Sequence, residues 1–82
     1  MVYKTRGVCS QKIDFEVKDN KVYDVKFLGG CNGNLQGIGA LVEGMDIDEA
    51  VRRLEGIRCG FKNTSCPDQL AMALKSYKEN LV

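Results

Sequence analysis

Histidine and tryptophan are absent from the 82 residues, and proline occurs once. Without histidine, acid–base catalysis near neutral pH has poor material, because the carboxylates fall mostly at helix starts or on the polar side of strands. No run of lysine or arginine rises above a background of 12 basic and 11 acidic residues, and the formal net charge is +1. A nucleic-acid footprint is therefore not expected. No stretch is long and apolar enough to span a bilayer, and the opening Met1–Gly7 segment carries Lys4 and Arg6 where a secretory leader would be apolar. These absences predict a cytoplasmic chain with neither a membrane nor a nucleic-acid partner. Residues 1–82 form one domain, near the smallest size that a single core stabilises unaided.

Against these absences stand four cysteines, Cys9, Cys31, Cys59 and Cys66. Each has a local sequence of the kind that ends or turns an element, which suits coordination or redox chemistry better than core packing. No Cys-x-x-Cys pair is present, so spacing alone does not identify the chemistry.

The first third reads as strands. From Lys12 to Lys18, Ile13, Phe15 and Val17 alternate with Asp14, Glu16 and Lys18. Asp19-Asn20 suits a two-residue turn with positive φ. Tyr23, Val25 and Phe27 then alternate with Val22, Asp24 and Lys26, which predicts that the first set faces the core. Residues 2–8 form a weaker first strand, giving an antiparallel meander.

The remainder reads as three helices. Leu35, Ile38, Leu41, Val42 and Met45 keep helical spacing, and the interior glycines Gly37 and Gly39 imply close packing against the sheet. A second helix opens at Asp46, with Glu49 placed to complete a capping box. It presents Ile47, Ala50, Val51 and Leu54, and stops at Gly56. A third opens behind Ser65, with Pro67 in its first turn, Asp68 set to reciprocate the cap, and a stripe of Leu70, Leu74, Tyr77 and Leu81. The predicted class is α+β: a three-stranded antiparallel meander followed by three helices packed on one face. Gly29 to Asn34 reads as a close-packed strand-to-helix connection, since it matches no dinucleotide or phosphate-loop fingerprint.

The meander brings the ends that carry Cys9 and Cys31 to one edge of the sheet. Cys59 and Cys66 bracket a short loop that delivers Cys66 to a helix start, where the macrodipole favours thiolate. On that ground Cys66, then Cys31, should be the most reactive thiols in metal-free protein. Four converging thiols can hold zinc in a closed tetrahedron or an iron–sulfur cluster. Redox-active thiols and two disulfides are the other readings of the same set.

Thr64-Ser65-Cys66-Pro67-Asp68 resembles the signature that names the TSCPD domain family. Gly56-Ile57-Arg58-Cys59, Gly30-Cys31 before a helix, and Gly7-Val8-Cys9 resemble its other landmarks, so the likeness runs over nearly the whole chain. The family occurs as a C-terminal domain of adenosylcobalamin-dependent ribonucleotide reductases and as small stand-alone proteins. The resemblance implies a metal-binding module, with zinc on Cys9, Cys31, Cys59 and Cys66, and a protein partner such as a ribonucleotide reductase. It does not imply reductase activity for this chain, which lacks the catalytic barrel. A more distant likeness is to the iron–sulfur cluster scaffold proteins, in which Cys31 and Cys66 match ligands and Cys59 stands near a third. Gly30 and Asn32 flank Cys31 where the scaffolds carry an aspartate. That likeness implies the alternative function, a cluster carrier or thiol-redox protein.

Overall fold

A turn that takes positive φ between two alternating strands makes a hairpin, and the hairpin is the centre of this molecule. The computed structural model describes residues 2–5, 10–29, 32–58, 60 and 63–79. Strands β2 (Ser10–Lys18) and β3 (Lys21–Gly29) pair antiparallel, and β1 (Val2–Lys4) pairs with the other edge of β2. Helices α1 (Asn32–Val42), α2 (Ile47–Leu54) and α3 (Cys66–Glu79) follow, which is the expected α+β order. Asp19 and Asn20 both take positive φ, 53° and 64°, the conformation that a two-residue hairpin of this twist requires. Among the described residues no helix is long and apolar enough to cross a membrane.

Strand β3 departs from simple alternation. Glu16 pairs with Tyr23 and Asp14 with Lys26, so Phe15 faces two residues of β3, Asp24 and Val25. Asp24 occupies the left-handed region at φ 55°, and its displaced N–H is accepted by Glu43 Oε1 at 2.9 Å. The extra residue reverses the facing of everything before it. Val22 is therefore fully buried opposite Val17, while Tyr23 lies on the other face with Glu16. The expectation that Tyr23 faces the core and Val22 faces solvent is corrected by this bulge.

The core joins Ile13, Phe15 and Val22 of the sheet to Val42, Ile47, Ala50, Leu70, Ala73 and Leu74 of the helices. Tyr77 meets Phe15 edge-on, with ring centroids 6.3 Å apart. On α1 the buried stripe is Leu35 and Val42, with Ile38 partly covered. Leu41 is 77 % exposed and leaves the stripe, because its position points about 100° away from Val42. The two helix glycines expected to pack closely, Gly37 and Gly39, also part company. A Cβ on Gly39 would lie 3.0 Å from the Val25 carbonyl oxygen, whereas one on Gly37 would meet nothing within 4 Å. Smallness is required at Gly39 alone.

The α1–α2 connection is tied to the hairpin by its backbone. Val22 N–H donates to the Met45 carbonyl at 2.9 Å, Gly44 N–H to the Val22 carbonyl at 2.7 Å, and Ile47 N–H to the Asn20 carbonyl at 2.9 Å. Asp46 caps α2 by accepting from Asp48 N–H at 3.1 Å, and its other oxygen accepts from Asn20 Nδ2 at 2.9 Å. The expected capping box is not made, since the Glu49 carboxylate turns to Arg53 and Arg52. Those hydrogen bonds hold its pKa below the ordinary carboxylate value. Lys78 reaches Asp48 at 2.5 Å and Lys75 reaches Glu55 at 2.8 Å, so α2 and α3 are paired across their exposed rims. The outer face of the sheet is arranged otherwise: Lys4 stands directly across from Lys12, and Lys18 from Lys21.

The glycine contrast is directly measurable. Gly37→Ala should stabilise the protein by roughly 0.5–1 kcal/mol through helix propensity. Gly39→Ala should destabilise it by about 1–3 kcal/mol, because the added methyl presses on backbone that cannot rotate away. Urea unfolding of both variants checks the pair, and equal shifts would contradict the packing described.

Candidate functional site

Thr64 to Asp68 forms the start of α3, and each side chain in it has a separate task. Ser65 Oγ accepts from Asp68 N–H at 3.1 Å, capping the helix as its sequence predicts. Asp68 does not reciprocate toward Ser65. Its Oδ2 accepts from the Thr64 hydroxyl at 2.5 Å, and its Oδ1 accepts from Gly56 N–H at 2.7 Å. Gln69, itself buried, donates from Nε2 to Thr64 Oγ1 at 3.0 Å and to Met72 Sδ at 3.4 Å. One carboxylate at the third position of α3 therefore grips the chain on both sides of the connecting loop.

Gly56 ends α2 as expected, at φ 83°. In the usual glycine-terminated helix, the N–H at this position bonds back into its own helix. Here the last ordinary helical bond runs from Glu55 N–H to the Val51 carbonyl at 2.9 Å, and the Gly56 N–H is given to α3. The Thr64–Asp68 spacing of four residues hints at their contact. Nothing in the sequence points from Asp68 to a backbone amide twelve residues earlier, and this bond was not anticipated.

Cys66 is the first residue of α3, so it lies among amide groups that have no partner within the helix. The residue is 7 % exposed. The expectation that this thiol is the most reactive of the four rested on the helix field, and burial now works against it, because a reagent must reach the sulfur. A buried thiol at a helix start suits ligation better than exchange with solutes. Cys9, Cys31 and Cys59 lie outside the described residues, and so does the expected neighbourhood of Cys9 and Cys31. The register does pair Ser10, next after Cys9, with Gly29, two residues before Cys31. Gly29 takes φ 84° as β3 ends. Among the described residues no three His, Cys, Asp or Glu side chains gather as a metal-ligand group, and no buried side-chain nitrogen or oxygen is left without a partner.

A family model described as the TSCPD domain matches residues 1–78. No curated protein and no solved structure matches the chain significantly.

Two measurements probe the α3 start. Ser65→Ala should lower unfolding free energy by about 1 kcal/mol, within the 0.5–2 kcal/mol typical of a lost cap. In native metal-free protein, timed iodoacetamide labelling read by peptide mass spectrometry should modify Cys66 markedly more slowly than in urea-unfolded protein. Equal rates would mean that the burial does not protect the sulfur.

Proposed function

The chain belongs to the TSCPD domain family, and we propose that it is a small, non-catalytic metal-binding module in which Cys9, Cys31, Cys59 and Cys66 hold zinc. The observation that carries this reading is Cys66: a buried thiol at the first position of a capped helix, beside first-turn amides that can donate to a metal-bound sulfur. The donor set fits the metal. Four thiols with no histidine make a closed, tetrahedral sulfur site, which lends folding energy and leaves no open position for substrate. The meander supports the same reading by pairing the strand ends next to Cys9 and Cys31, through Ser10 and Gly29.

The role of the chain's own residues is structural. Ser65 caps the turn that carries Cys66, and the Asp68 carboxylate fixes the chain on either side of the loop between α2 and α3. Bound zinc would join the sheet edge to that loop, adding a cross-link to a core that is small for an isolated domain. The resemblance to the reductase C-terminal domain supports an accessory role beside a ribonucleotide reductase, in the cytoplasm.

Metal analysis and absorbance of anaerobically purified protein test the reading. One zinc per chain in a colourless protein is the expected result. A brown protein containing iron and sulfide would replace zinc with a cluster and make the chain a cluster carrier. Cys31→Ser and Cys66→Ser should each abolish stoichiometric metal. Removing the metal by strong chelation should lower Tm by roughly 8–16 °C, the shift that a loss of about 2 kcal/mol produces in a domain of this size. Unchanged melting after chelation would end the structural role.

A further inference from the structure

We infer that Asp68 is a positioning residue, which sets the separation of Cys59 and Cys66 by stapling together the two ends of the loop between them. The inference deepens the proposed site and rests on Cys59 and Cys66 acting as partners in it. Its geometry uses described residues alone. The chain leaves α2 at Gly56 and approaches α3 at Thr64, and both bond to the two oxygens of one carboxylate, at 2.7 and 2.5 Å. A free chain from Gly56 to Thr64 could extend to about 27 Å. Stapled, its ends are held one carboxyl group apart.

Cys59 follows Gly56 by three residues, so covalent reach keeps it within about 10 Å of that anchor. Cys66 shares the first turn of α3 with Asp68 itself. The staple thus ties the anchor of one cysteine to the helical turn of the other. Three details indicate a built device rather than an incidental contact. Gly56 donates its N–H away from its own helix, at a φ of 83° that side-chain-bearing residues rarely adopt. The Thr64 oxygen is held a second time by buried Gln69. Ser65, between Thr64 and Cys66, performs the capping separately, so the Asp68 carboxylate is not occupied by that task.

With the staple in place, the two thiols meet at a high effective concentration. Without it, the ends of the loop are held only by the packing and the Lys75–Glu55 ion pair between α2 and α3, and the effective concentration falls. This can be read without any metal, in full-length protein carrying Cys9→Ser and Cys31→Ser and equilibrated with glutathione buffers. One oxidised glutathione accepts two electrons and two protons from the protein thiols. The products are one Cys59–Cys66 disulfide and two reduced glutathiones, and the equilibrium constant is the effective concentration.

Asp68→Ala should lower that constant about tenfold, equivalent to about 1.4 kcal/mol. Asp68→Asn should largely restore it, since the amide can accept from Gly56 and donate to Thr64. Ser65→Ala removes helix support but keeps the staple, and should stay near the parent value. No loss in Asp68→Ala, or the same loss in Ser65→Ala, overturns the inference. Circular dichroism checks that each variant folds. If Asp68→Ala does not, Thr64→Val decides: a loss of about threefold supports the staple and no loss overturns it. Zinc analysis of the wild-type protein is a separate arm. A wild type that takes up no zinc defeats the proposed function while the disulfide equilibrium still judges the staple. A zinc-loaded wild type whose Asp68→Ala equilibrium is unchanged defeats the staple alone.

Discussion

Asp24 sits in the left-handed region with its N–H held by Glu43, and that one additional residue in β3 sets the facing of the whole strand. Val22 and Phe27 are five positions apart, so a regular strand would send them to opposite faces. With the bulge between them, Val22 is buried against the helices and Phe27 packs against the same core beside Ile13. The helical layer depends on this arrangement. Val22 exchanges backbone hydrogen bonds with the α1–α2 connection, and Val25, just past the bulge, supplies the carbonyl against which Gly39 lies. The carboxylate that secures the bulge comes from the residue following α1, so strand and helix determine one another.

From that junction the order of events along the chain is physical. The hairpin turn fixes the start of α2, because Asn20 gives its carbonyl to Ile47 N–H and its side-chain amide to Asp46. Helix α2 then packs Ile47 and Ala50 on Leu70, Ala73 and Leu74 of α3. At the far end of α2 the Asp68 carboxylate collects the terminal amide. The Thr-Ser-Cys-Pro-Asp segment is thus a joint between two helices: serine caps, aspartate reaches outward, threonine is its second grip, and cysteine is left at the first position with its own chemistry.

Much of this was legible in the sequence where a local rule decides. The Asp19-Asn20 turn, the Asp46 and Ser65 caps and the Gly56 stop each depend on a few adjacent residues, and each appears where the residue types place it. The failures share a different cause. Alternation places Tyr23 and Val22 on the wrong faces because the bulge is held by a residue nineteen positions away, which periodicity cannot register. Glu49 and Asp68 had the right spacing for capping boxes, yet each met a stronger partner, two guanidinium groups in one case and a distant amide in the other. Gly37 and Gly39 look alike in the sequence, and only the position of the Val25 carbonyl separates them. Of the cysteine site, the sequence supplied the four thiols, and the described residues add the burial and helix position of Cys66.

The outer face of the sheet bears on how the protein behaves in a crowd of its own copies. Lys4 opposite Lys12 and Lys18 opposite Lys21 are like charges in direct cross-strand register, an arrangement that weakens the pairing it decorates. The same arrangement makes that face a poor surface for a second sheet to settle on. Bringing two copies together face to face would crowd four such pairs into a thin layer, where water and counter-ions are scarce. At physiological ionic strength the repulsion reaches only about 8 Å, so it acts late, as a barrier at contact rather than a force between distant molecules. A small loss of strand stability thereby keeps charged side chains, with Asp14 and Glu16 among the lysines, on the face of the sheet turned away from the helical core.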